Sequence, residues 1–170
     1  VKRILVEKEV LEQFTEKFLD KASKFKVGDP ADEETLMGTV IDEKAAAELE
    51  QRVIKAVNSG AKVLLGGNRN GSQLEPTIIA NVPRDAEMVC EESFGPLAPI
   101  MSVRDIDDAI SLANSSPFGL SSGVVTNDMA AAIKVVKELK TGAVNINQVP
   151  GFRMECSRFG GDKGSGWGIK

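Results

Sequence analysis

Ile4, Leu5 and Val6 make a short apolar run that predicts a strand. Directly after it Val10, Leu11, Phe14, Phe18, Leu19, Ala22 and Phe25 recur at the spacing of one helix face. Gly28 and Pro30 end that helix, the first through backbone freedom and the second through its missing amide. A polar loop runs to Ile41, where Asp42 is placed to cap a second helix by accepting hydrogen bonds from otherwise unpaired amides. Ala47, Leu49, Val53, Ile54 and Val57 supply the expected buried face of this helix, and Gly60 closes it. Ala61 to Leu65, apolar apart from Lys62, predicts a strand, followed by a turn-rich stretch from Gly66-Gly67 through Gly71.

The remaining pattern continues the alternation. Strands are expected at Pro76 to Ala80, Pro99 to Val103, Gly123 to Thr126 and Ala143 to Ile146, with helices from about Asp105 to Ser115 and about Asp128 to Leu139. Helices between buried strands require a largely parallel sheet with helical layers, so the fold class is α/β. No fixed-period repeat and no low-complexity linker divides the chain, and residues 1–170 are read as a single domain. The tail differs: from Gly160 to Gly168, five of nine residues are glycine, which favours backbone that passes close to something else.

Composition narrows the function. A chain of 170 residues can bury roughly 70% of its unfolded surface without disulfide staples. A net charge of −4 and a pI near 5.0 argue against a nucleic-acid surface, which needs clustered Lys and Arg. No apolar run approaches the roughly 20 residues of a membrane span, and the first residues lack a signal-peptide pattern, so a soluble cytoplasmic protein without a membrane partner is expected. Two cysteines are too few to suggest a disulfide framework, and without histidine the usual zinc spacings cannot be assembled, so no metal is expected. Neither a GxxxxGK[ST] loop nor a GxGxxG fingerprint occurs.

More specific information lies in two runs, Glu91-Glu92-Ser93-Phe94-Gly95-Pro96 and Phe159-Gly160-Gly161-Asp162-Lys163-Gly164-Ser165-Gly166-Trp167-Gly168. Between them stand Pro117-Phe118-Gly119-Leu120 and Gly142-Ala143-Val144-Asn145-Ile146-Asn147, and the chain opens on Val1-Lys2-Arg3-Ile4-Leu5-Val6. In this order the five resemble landmarks of the NAD(P)-dependent aldehyde dehydrogenase superfamily. The resemblance implies the three-layer α/β/α, cysteine-bearing catalytic domain of that fold. It places the family's nucleophilic cysteine, general-base glutamate, oxyanion-hole asparagine and cofactor-binding domain before Val1. The chain is accordingly expected to be a fragment with no catalytic residue of its own, inactive in isolation.

Glu92 matches the glutamate that, in the resembled family, accepts hydrogen bonds from the nicotinamide ribose of NAD or NADP, and Phe94 the aromatic packed beside the nicotinamide. A carboxylate offers only acceptors to a diol that offers donors. Without the family, Glu91-Glu92 reads as a solvated acidic pair before a Phe-Gly-Pro turn. Phe159 resembles the aromatic wall of the substrate tunnel, though core packing would also explain it; the family usually has proline where this chain has Arg158. Arg153 lies in a segment that reaches the tunnel mouth in that family. With Arg158 nearby it can clamp a carboxylate or phosphonate tail bidentately, the alternative being a surface salt bridge. Arg3 adds to this positive lining.

The implied reaction oxidises an aldehyde to an acid: a cysteine thiolate attacks the carbonyl, hydride passes to NAD(P)+, and water hydrolyses the thioester. The segment resembles members acting on short anionic aldehydes such as phosphonoacetaldehyde, succinate semialdehyde or lactaldehyde-type substrates, in a family that commonly forms homodimers or homotetramers. Cys90, followed by two carboxylates, is expected to be a buried structural thiol, and Cys156 lies near Arg153 and Arg158. Two other readings stay open: a non-catalytic binding or oligomerisation module, and a cofactor-independent thiol enzyme using Cys156.

Overall fold

The computed structural model describes residues 2–157 and 159–167. They form two compact units, 2–103 and 104–167, which subdivide the stretch read from sequence as one domain. In chain order the first unit holds β1 (Ile4–Glu7), α1 (Leu11–Ala22), α2 (Glu43–Asn58), β2 (Lys62–Leu65), β3 (Arg69–Asn70), β4 (Gln73–Leu74), β5 (Thr77–Ala80), α3 (Glu87–Cys90) and β6 (Leu97–Val103).

Its four-stranded sheet runs β1-β6-β5-β2. β6 pairs in parallel with both β1 and β5, while β2 closes one edge antiparallel to β5. The interior strands are the most buried: Ile78, Ile79, Ile100 and Val103 are at most 2% exposed, as expected of strands covered on both faces. One turn of tight helix at Lys8–Val10 leads into α1. Leu11, Phe14, Phe18, Leu19 and Ala22 of α1 pack on Val6, Ile78 and Ile100, with the two phenylalanine rings stacked 5.6 Å apart. Val10 and Phe25, counted from sequence in this face, lie beyond the ends of α1 and are about half exposed.

α2 starts where Asp42 accepts from the Ala45 amide at 2.7 Å. Its buried stripe is Ala46, Leu49, Val53 and Ala56. Ile54 and Val57, expected in that face, sit one position round the helix from Val53 and Ala56 and stay exposed.

The second unit holds α4 (Ile106–Asn114), β7 (Phe118–Gly119), β8 (Ser121–Val124), α5 (Met129–Glu138), β9 (Ala143–Ile146) and β10 (Asp162–Lys163). Asp105 caps α4 through the Asp108 amide at 2.9 Å, and Asp128 caps α5 through the Ala130 amide at 2.8 Å. β8 and β9 pair in parallel from Ser121↔Ala143 to Val124↔Ile146. β8 therefore starts two residues before the expected Gly123, because pairing with β9 rather than apolar character sets its limits. Met129, Ile133 and Val136 of α5 are exposed around an apolar groove of about 560 Å³.

Asp162 and Lys163 of the glycine-rich tail pack on their own chain. β10 pairs antiparallel with β7, and the Lys163 ammonium donates to Ser116 O at 2.8 Å and Asn114 O at 3.2 Å. At Gly142 an added Cβ would overlap the Gly160 carbonyl, so a bare backbone is needed where the tail passes the start of β9. Among the described residues no helix is long and apolar enough to cross a membrane.

Candidate functional site

The Glu91–Pro96 segment leaves the end of α3, a single turn anchored by the buried side chains of Met88 and Val89. The Cys90 and Glu91 amides donate back to Ala86 O (3.0 Å) and Glu87 O (2.7 Å). At its far end the Leu97 amide donates to Gly95 O and the Thr77 amide to Pro96 O, each at 2.8 Å, which ties the turn to β5 and β6. Gly95 is backed against Leu49 of α2, where a Cβ would overlap the leucine methyl. The turn is thus fixed at both ends and pressed from behind. The side chains of Glu92 and Phe94 face outward, Phe94 80% exposed. An exposed phenylalanine on a braced turn offers its ring face to a flat partner.

From α2, the Arg52 guanidinium donates to Glu92 O at 2.6 Å and to Ser93 Oγ at 2.8 Å. Its Nε lies 3.1 Å from Glu87 Oε1, and the Lys55 ammonium donates to the same carboxylate at 2.7 Å. The Lys55 hydrogen bond, followed by the charges of Lys55 and Arg52, holds the Glu87 carboxyl below the usual carboxylate range.

Arg3 belongs to the same unit and lies within electrostatic range of Cys90. Partial burial pulls its pKa below the arginine range, with the Cys90 thiol opposing. The Lys2 ammonium donates to Cys90 O at 3.4 Å; burial first, then Arg3, lowers its pKa against the raising influence of Glu92 and Glu91. The structure therefore gathers Lys2, Arg3, Cys90 and the Glu91-Glu92 pair. Cys90 corrects an expectation, for it is exposed rather than buried: Met88 and Val89 take the inward positions of the single turn.

In the second unit the Arg153 guanidinium stands over the Phe159 ring, 4.9 Å from its centroid, a cation–π contact. Both side chains are exposed, so Phe159 is not a core residue. Their segment is held by Ser121 Oγ–H donating to Pro150 O at 2.6 Å and by the Phe152 amide on Val149 O at 3.0 Å. Two of the residues singled out from sequence are thereby brought together; Arg158 lies outside the described residues. Cys156 is exposed. Sequence reasoning missed Arg52, and no local signal marks it, since its partners lie 40 and 41 residues away.

The chain is 41% identical to the lactaldehyde dehydrogenase of Methanococcus maripaludis over 168 residues, 99% of this chain and 36% of that protein. It is 39% identical to the 3-sulfolactaldehyde dehydrogenase of Priestia aryabhattai, again over 99% of this chain and 35% of the relative. Among solved structures, glyceraldehyde-3-phosphate dehydrogenase GapN from Methanocaldococcus jannaschii complexed with NADP superposes with a TM-score of 0.95 at 38% identity, covering 99% of this chain and 37% of that one. The chain thus spans about a third of the length of the relatives it matches. At such similarity the arrangement of strands and helices is that of the aldehyde dehydrogenase fold. With the aldehyde dehydrogenase family model matching residues 1–170 throughout, the chain belongs to the aldehyde dehydrogenase family.

Proposed function

We propose that this chain supplies the cofactor-positioning turn and part of the substrate wall of an NAD(P)-dependent aldehyde dehydrogenase that oxidises a short anionic aldehyde to its carboxylic acid. The observation that carries the reading is the braced turn with Glu92 and Phe94 facing outward. These groups fit the cofactor: an acceptor-only carboxylate suits a ribose diol, and an exposed ring suits the nicotinamide plane. When bound, NAD(P)+ is the hydride acceptor. Glu92 would hold the ribose hydroxyls and Phe94 would pack beside the ring, so the chain's part would be orientation. Neither Cys90 nor Cys156 is assigned as nucleophile, and the 170-residue chain by itself is expected not to turn over.

Arg153 and Arg158 are proposed to meet the substrate's anionic tail, with Phe159 as an apolar wall, and Arg3, in the other unit, is kept as a substrate-binding candidate on the family resemblance alone. The Arg153 guanidinium standing over the Phe159 ring supports the tail site, because a cation–π contact engages the ring without using up the N–H donors that an oxyanion would take. The names of the relatives point the same way in part: 3-sulfolactaldehyde carries a sulfonate, whereas lactaldehyde is uncharged. Exposed apolar surface on α5 supports a homodimer or homotetramer as the working form.

Glu92→Gln in the full-length enzyme tests the reading. Single-turnover NAD(P)H formation should slow by about 10- to 100-fold, the equivalent of one charge-assisted hydrogen bond, with the melting temperature unchanged. An unchanged rate would remove Glu92 from the site.

A further inference from the structure

We propose that Arg52 is a positioning residue for cofactor binding, fastening the Glu91–Pro96 turn from behind so that Glu92 and Phe94 face outward. The inference rests on the cofactor reading above. Arg52 reaches from α2 with its side chain only 20% exposed. One nitrogen donates to both Glu92 O and Ser93 Oγ, and Nε is spent on Glu87. A planar guanidinium held on two sides cannot swing without losing contacts on both.

The acceptors decide what this arrangement does. A surface arginine paired only with a carboxylate contributes little, but here the acceptor is the main-chain carbonyl of Glu92 itself. The backbone of Glu92 is fixed on the protein side while its carboxylate stays on the outer side. Ser93 adds a second acceptor at the next residue, on the approach to Phe94. Glu87, held in turn by Lys55, sets the orientation of Arg52. Arg52 and Lys55 are one helical turn apart on α2 and so face α3 together. The wild-type turn is thereby preorganised before cofactor arrives.

The experiment compares Arg52→Met, Arg52→Lys and Ser93→Ala in the full-length enzyme, each alone and in the Glu92→Gln background. Cofactor affinity, single-turnover NAD(P)H formation, aldehyde KM and melting temperature are recorded. Arg52→Met should slow hydride transfer on the order of tenfold, the rate equivalent of one lost hydrogen bond to a charged donor, and leave aldehyde KM unchanged. Arg52→Lys should recover part of the loss, and Ser93→Ala, which leaves the α2–α3 ion pairs intact, should reproduce a smaller share of it. In the Glu92→Gln background the Arg52→Met loss should shrink, because one of the two groups being positioned is gone while Phe94 remains. A wild-type rate for both Arg52→Met and Ser93→Ala, or an undiminished loss in the Glu92→Gln background, would overturn the proposal while Glu92→Gln alone still slowed the enzyme. Wild-type behaviour of Glu92→Gln would instead take down the cofactor reading, and this inference with it.

Discussion

Gly95 stands where α2 presses on the cofactor turn, and a side chain there would overlap Leu49, itself buried. Gly95→Ala should therefore destabilise the full-length enzyme by about 1–3 kcal/mol, the usual range for overpacking, and weaken cofactor binding beyond what stability explains; denaturant titration with cofactor titration checks both. Glu87 gives a pH prediction. Its carboxyl is held below its ordinary value of 4.5, first by the Lys55 hydrogen bond. A depressed folded-state pKa adds stability that is complete above that value and is lost as pH falls through the lower, folded value. The gap in melting temperature between wild type and Glu87→Gln should close in acid and stay constant from pH 6 upward. A gap that grows in acid would contradict the assignment. At this scale legibility follows sequence distance. The Glu91–Pro96 run was legible as a resemblance because it is contiguous, whereas the contacts of Arg52 form only when α2 is laid against α3, and Cys90 turned outward because its two neighbours claimed the core.

The helix starts at Asp42, Asp105 and Asp128 were all legible, since capping is a contact over two or three residues. Asp42→Ala should cost about 0.5–2 kcal/mol, and as α2 carries Arg52 it should also loosen the cofactor turn; amide exchange at the start of α2 reads the first effect. Ile79, with no exposed surface on an interior strand, should cost about 2–5 kcal/mol when cut to alanine. The apolar strands were equally clear. What escaped was decided by partners far along the chain: Ser121 and Ser122 carry no apolar pattern and become strand by pairing with β9, and Phe118–Gly119 pairs with Asp162–Lys163 across the whole second unit. The buried stripe of α2 was misjudged by one position at Ile54 and Val57, a difference set by which side of the helix faces α3, β3 and β4.

For the molecule as a whole, family membership rests on a match along all 170 residues, while the relatives named above are nearly three times as long. Substrate choice belongs to this scale: if the arginines read an anionic tail, kcat/KM of the full-length enzyme should favour 3-sulfolactaldehyde over uncharged lactaldehyde, and Arg153→Ala should narrow that preference by about tenfold, in line with one charge-assisted contact. Equal discrimination before and after the substitution would exclude Arg153 from the tail site. The most direct measurement is aldehyde-dependent reduction of NAD+ and NADP+ by the full-length protein carrying these residues, side by side with the 170-residue chain. Steady turnover is expected from the first and none from the second. Turnover by the 170-residue chain, or none by the full-length protein with any short aldehyde, would contradict the proposed function.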